Sequence, residues 1–355
     1  MNYKIVQTLL LVVLAISSAQ AAPLQRVEVR DAARRKAVCN DGSPAVYYFR
    51  PGSGEGANRW VIFLAGGGFC FSVNTCQLRQ ILNPELMTSS DKPPTTLVDG
   101  LLSDSKAQNP DFYNANHVAI VYCSSDLWSG NNAASGGTGG YAFRGWTILR
   151  AVVADLKART SGPNLKTATE VLFAGTSAGG DGVMVHLDWL ASQLRNAKVR
   201  GLNDAGWIPE SNTVPINPSM NEILDSAVQL WNGKTDASCA QSNPTGKSHC
   251  YLSAVYPYLS TPLYVQESQW DSFVLGLAGV DYPFNATGQL IADAYAAAVR
   301  SSLGPVAAAF SPRTFSHGLA PYKRFNGQKV NGITLRRTLG NWFFDRPGTI
   351  KAIQN

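Results

Sequence analysis

Nothing in the chain limits its fold more than Val171-Leu-Phe-Ala-Gly-Thr-Ser-Ala-Gly-Gly180. A short run of strand-forming apolar residues stops at Gly175-Thr-Ser-Ala-Gly179, and an apolar series at Val183, Leu187, Leu190 and Leu194 follows at helical spacing. Strand, tight turn and helix in that order force the chain to reverse between two layers. Small residues on both sides of Ser177 permit a strained turn that lifts its hydroxyl out at the carboxyl edge of a sheet. A helix starting at Ala178 aims its first N–H groups and positive dipole end at an oxyanion formed near that hydroxyl.

Other stretches repeat the pattern. Trp60-Val-Ile-Phe-Leu-Ala65 is an unbroken apolar run, which reads as a strand buried on both faces, and it ends in Gly66-Gly67-Gly68. A glycine turn in that place donates backbone N–H groups to an oxyanion hole, so the turn Gly66-Gly67-Gly68, with Ala178, is the candidate donor set. A second buried strand is predicted at His117–Cys123, followed by a long polar loop, 124–140, with a lone Trp128. Loops at the carboxyl ends of parallel strands line clefts, so Trp128 is a candidate substrate contact, with a buried anchor as the alternative. A helix is predicted over Trp146–Leu156, a further short strand and turn over Val199–Trp207, and a strand over Thr261–Ser268. This alternation predicts an α/β-hydrolase-like fold with a mostly parallel, doubly wound sheet and long active-site loops.

The first residues read differently. Lys4 precedes an apolar run from Ile5 to Ile16, too short to span a bilayer, and Ala19-Gln20-Ala21 places small residues at a cleavage site. Residues 1–21 are expected to be a signal peptide and 22–355 a single domain, secreted or extracytoplasmic, and periplasmic if the source is Gram-negative. No later segment is apolar enough to span a membrane. The net charge of +6 comes from scattered cations with no long Lys/Arg run, which argues against nucleic acid and for an acidic polysaccharide or an anionic surface as partner. A monomer is expected. Six cysteines in an exported chain suggest three disulfides. Proximity favours Cys70 with Cys76 and Cys239 with Cys250, leaving Cys39 with Cys123, although six cysteines allow about fifteen connectivities. With no Cys-x-x-Cys and no His-x-x-x-His spacing, neither a metal nor a cofactor is expected.

A nucleophilic serine needs a base, and the chain has four histidines. His186 lies nine residues along the helix after the turn, roughly 13 Å from Ser177 at 1.5 Å per residue. His117 begins its strand, at the edge opposite the chemistry. His249 adjoins Cys250 in a disulfide loop. His317, in a late Ser/Gly-containing loop, remains. The acid should follow a strand and lie between nucleophile and histidine, which selects Asp271, with Asp204 and Asp281 as runners-up.

These residues together resemble the pectin acetylesterase family, which includes plant pectin acetylesterases, the animal Notum carboxylesterases and bacterial members. The resemblance runs from Asp41-Gly-Ser-Pro-Ala-Val-Tyr-Tyr48 to His317. It rests on Trp60–Cys70 with Cys76, Tyr122-Cys123, Phe143-Arg-Gly145, Gly175–Gly180, Asp204-Ala-Gly206, and Thr261-Pro-Leu263 followed by Asp271-Ser272. It implies a Ser177, His317, Asp271 triad with Gly67, Gly68 and Ala178 at the oxyanion positions, and a secreted esterase that removes O-acetyl groups from pectin or a related polysaccharide. A Notum-like deacylase of longer acyl esters is the alternative, and a catalytically dead carbohydrate-binding protein a third reading. The chain departs from the family at Ala65, where members usually have Glu. It also lacks the cysteine that flanks the family histidine, and it has Gly68 where the Notum branch has an aromatic residue.

Overall fold

The computed structural model describes residues 22–209 and 214–355, so the segment read as a signal peptide, 1–21, lies outside the described residues. Ten strands form one mixed sheet. They are β1 (Leu24–Glu28), β2 (Val46–Arg50), β3 (Arg59–Leu64), β4 (Thr95–Thr96), β5 (Asn116–Ile120), β6 (Glu170–Thr176), β7 (Lys198–Asp204), β8 (Leu263–Gln266) and β9 (Ala308–Ser311). After a small ribbon of β10 (Lys329–Val330) and β11 (Ile333–Thr334), β12 (Lys351–Ile353) completes it. The order is β12-β9-β8-β7-β6-β3-β5-β2-β1-β4, parallel from β12 to β5 and antiparallel beyond. The α/β-hydrolase-like, mostly parallel architecture expected from the sequence is the one observed.

Helices cover the sheet. They are α1 (Val73–Leu82), α2 (Gly145–Lys157), α3 (Ala178–Gln193), α4 (Met220–Trp231), α5 (Ala237–Ser242), α6 (Ser272–Leu277), α7 (Ala286–Ser302), α8 (Arg324–Gly327) and α9 (Leu335–Phe343). The unbroken apolar runs have a physical cause: side chains alternate across a strand, and both faces here are covered. Trp60, Ile62, Leu64, Val171 and Phe173 pack on one face with residues of α2 and α3 such as Val152, Val183 and Leu187. Val61, Phe63, Leu172 and Ala174 pack on the other with Leu335, Leu339 and Phe343 of α9. Each such side chain, fully buried, stabilises the fold by about 1.5–3 kcal/mol. Strand β6 sits between β3 and β7, so the glycine turn after β3, the serine turn after β6 and the acidic end of β7 meet at one edge.

Candidate active site

Ser177 stands between the end of β6 and the start of α3 with φ +56° and ψ −126°, a conformation that costs a non-glycine residue roughly 1–3 kcal/mol. The surroundings fix it there. A Cβ on Gly175 would lie 2.1 Å from the Gly179 carbonyl oxygen, and one on Gly179 would lie 2.1 Å from that of Leu64, so only glycine fits at either position. The Ser177 N–H donates to the Asp204 carbonyl at 2.7 Å. Serine at a helix start ordinarily caps it with its hydroxyl, but this hydroxyl makes no cap bond and is free for other chemistry.

The glycine turn stands against that serine. A Cβ on Gly66 would come within 2.7 Å of the Ser177 Cβ. Gly67 and Gly68 adopt φ +146° and +66°, and both line a cavity of about 720 Å³ that also reaches Ser177 and His317. Ala178 is the first residue of α3, so its N–H has no acceptor within the helix. The Cys70–Cys76 disulfide then ties the turn to α1, whose start is closed by a Ser72/Thr75 capping box. The other sulfurs pair Cys39 with Cys123 and Cys239 with Cys250.

Asp271 and His317 are brought together by two different loops. Asp271 caps α6: its Oδ1 accepts the N–H groups of Phe273 and Val274 at 2.9 and 3.0 Å, which aims Oδ2 at the histidine. The His317 Nδ1–H donates to that Oδ2 at 2.7 Å, leaving Nε2 buried and without a hydrogen-bond partner among the described residues. Burial alone would lower the pKa of His317. The hydrogen bond and charge of Asp271, with the more distant Asp204, outweigh it and hold the imidazole above its ordinary 6.5. Asp271 is fully buried. Asp281, a runner-up acid, is exposed.

Asp204 has a role that sequence reasoning assigned only as a possible third triad member. It pairs in register with Thr176, the residue before Ser177. Its carboxylate accepts the N–H of Leu319 at 3.0 Å and that of Ala320 at 3.1 Å, so it holds the loop that carries His317. One residue thus fixes the serine turn through its carbonyl and the histidine loop through its side chain. Burial raises its pKa to about 6, against the pull of the Leu319, Thr176 and Ala320 hydrogen bonds. Glu267, buried behind Asp271, was not singled out; it accepts the Trp207 N–H at 3.2 Å. Burial first, then the charge of Asp271, pushes its pKa well above the ordinary value for a glutamate. The signal for Asp204 was its place at the end of the strand next to β6. Glu267 offered none, because burial is not legible from one residue.

The placement of Trp128 in the cleft is corrected. It is completely buried, its Nε1–H donates to the Ala65 carbonyl at 3.1 Å, and its ring fills the space beside Gly182, where a Cβ would lie 2.6 Å away. The cause is Asp126, whose carboxylate accepts the Ser124 hydroxyl and the N–H groups of Trp128 and Gly145 and so folds the polar loop inward. His117 and His186 are equally buried, both with pKa values lowered to about 3 by desolvation and a neighbouring arginine. The cavity wall comes instead from Phe69, Phe71, Leu86, Met220, Ile223, Phe273 and Leu277, with Arg79 among them. These residues lie in irregular connections and on short helices, where no periodic pattern marks them.

The chain is similar to known proteins over nearly its whole length. A family model described as pectinacetylesterase matches residues 17–355. The palmitoleoyl-protein carboxylesterase NOTUM of Drosophila melanogaster is 36% identical over 315 residues, covering 86% of this chain and 46% of that protein. Human NOTUM, of the same description, is 34% identical over 328 residues, covering 86% of the chain and 64% of its own length. The chain therefore spans about half the length of the fly relative and just under two thirds of the human one. The crystal structure of the Wnt deacylase Notum from Drosophila is similar with a TM-score of 0.85 at 32% identity, over 94% of this chain and 97% of that one.

Proposed function

The chain belongs to the pectinacetylesterase family, whose members are carboxylic ester hydrolases, and from that membership we propose an extracytoplasmic serine esterase that removes a medium-length or long acyl chain. The nucleophile is Ser177, the general base His317, and Asp271 the residue that orients the base. The observation that carries the choice of acyl group is the cavity in front of Ser177, about 720 Å³ with mostly apolar walls. Pockets of roughly 300–1,000 Å³ hold ligands of drug size. An acetyl group, the leaving acyl of the pectin substrate expected from the sequence, would leave most of that space unfilled. The names of the NOTUM relatives, palmitoleoyl-protein carboxylesterases, favour the same reading. Three disulfides fit an oxidising compartment outside the cytoplasm.

The proposed reaction assigns each of these residues a step. The Ser177 Oγ adds to the ester carbonyl while His317 Nε2 takes its proton, and the Asp271 carboxylate holds Nδ1–H and offsets the imidazolium charge. The oxyanion is received by the N–H groups of Gly67, Gly68 and Ala178, each worth about 3 kcal/mol of transition-state stabilisation. The imidazolium then protonates the departing alkoxide, leaving an acyl ester on Ser177. Water, deprotonated by the same Nε2, releases the fatty acid.

A fluorophosphonate probe tests the nucleophile, because only an activated serine is phosphonylated. Wild type labels stoichiometrically and Ser177→Ala does not. Equal labelling of the two, or none of the wild type, contradicts the proposal.

A further inference from the structure

The N–H groups from Gly66 to Phe69 donate to no acceptor among the described residues. A turn that keeps its N–H groups free for an oxyanion cannot be held by hydrogen bonds of its own, so its shape is imposed from outside. The segment 122–128 does this at three points. Trp128 Nε1–H donates to the Ala65 carbonyl where the turn begins, at 3.1 Å, and the Ser125 carbonyl accepts the Cys70 N–H where it ends, also at 3.1 Å. Between them the Tyr122 ring lies 3.3 Å from where a Cβ on Gly67 would sit, and the Tyr122 hydroxyl accepts the Leu127 N–H at 2.9 Å.

That segment is strained. Ser125, Leu127 and Trp128 have φ of +52°, +49° and +63°, a region that the Cβ of a leucine or a tryptophan disfavours. Such conformations persist only where the surroundings over-determine them, and they gather at functional sites. The buried Asp126 carboxylate holds the backbone here, and His186 adds a second grip. Arg150 Nη1–H donates to its Nδ1 at 3.1 Å, so its Nε2–H donates to the Trp128 carbonyl at 2.8 Å.

The indole of Trp128 touches two bodies at once. Its N–H holds the glycine turn through Ala65, and its ring lies against Gly182 near the start of α3. The proposed oxyanion donors are divided between the same two bodies, Gly67 and Gly68 on the turn and Ala178 on the helix. The indole is thus a spacer between the two halves of the hole.

We propose that Trp128 is a positioning residue for the oxyanion hole: its ring and N–H set the separation of the glycine turn from the start of α3, so that the three donors converge on one oxygen. This rests on the serine-esterase reading above and deepens it. Trp128 touches no substrate and acts through Ala65 and Gly182.

The test compares decyl trifluoromethyl ketone with decyl methyl ketone. The first is attacked by Ser177: a bond forms from Oγ to the carbonyl carbon, the π pair moves to oxygen as an oxyanion, and the hydroxyl proton passes to His317 Nε2. The second stays a ketone and reports ground-state binding in the same cavity. Trp128→Phe keeps an aromatic ring and removes the N–H, while Asp126→Asn keeps the side-chain shape and turns an amide NH2 toward the Gly145 N–H. In each variant, shown to be folded by thermal unfolding, kcat and the affinity for the trifluoromethyl ketone should fall together by about tenfold or more, as when oxyanion donors are lost or displaced. KM and the methyl ketone Kd should stay within about twofold of wild type, since uniform binding is untouched. If Trp128→Phe does not fold, Asp126→Asn decides alone. Equal loss of both ketones, or an unchanged affinity for the trifluoromethyl ketone, overturns the proposal. Failure of the esterase reading looks different: Ser177→Ala should bind the two ketones alike, and a preference for the trifluoromethyl ketone that survives there removes Ser177 as the nucleophile.

Discussion

In the proposed reaction His317 is the base and so sets the pH behaviour of the enzyme. It must be neutral to accept the Ser177 proton, and its pKa lies above 6.5 because the hydrogen bond and charge of Asp271 overcome the opposing effect of burial. The sign is therefore fixed: kcat/KM is lost as pH falls through a value above 6.5 and is complete above it. In Asp271→Asn both raising influences of the partner vanish, so the residual activity should keep its acid limb at a lower pH than wild type. A pH–rate profile of the two enzymes reads this directly, and a limb that stays in place contradicts the assignment of Asp271 as the partner of His317. The residues of the proposed triad could be picked out in the sequence because each follows a strand or closes a list of four histidines. Glu267 and the clamp made by Asp204 were not, because they act through burial and backbone amides supplied by distant loops.

Trp128 shows why loops are harder to read than strands. A tryptophan in a polar stretch at a strand end suggests a ligand contact, and only the Asp126 hydrogen bonds that turn the loop inward show it to be an internal support. Trp128→Ala should therefore destabilise the fold by about 3–5 kcal/mol, as large aromatic deletions in a core do, while KM of the remaining folded enzyme changes little. Thermal unfolding and steady-state kinetics separate the cases; a raised KM with unchanged stability would return Trp128 to the cleft. The parallel strands were legible for the opposite reason. A strand covered on both faces, like β3 or β6, carries an apolar run that no surface segment has, whereas β9 and β12 are too short for any pattern and pair only through the completed sheet.

For the whole molecule, fold and reaction class were legible from two glycine turns after buried strands, but the acyl group was not. In the proposed reading its size rests on a cavity assembled from α1, α4, α6 and the connections around them, residues more than a hundred positions apart that meet only when the sheet has formed. That cavity also separates the account from the pectin reading, since both use the same Ser177, His317 and Asp271. The decisive measurement is kcat/KM for p-nitrophenyl esters from acetate through decanoate to hexadecanoate, with Ser177→Ala as the control. Each methylene buried against the apolar wall is worth about 0.8 kcal/mol, so kcat/KM should climb steeply from acetate to decanoate and disappear in Ser177→Ala. A maximum at acetate, or turnover that survives in Ser177→Ala, would contradict it.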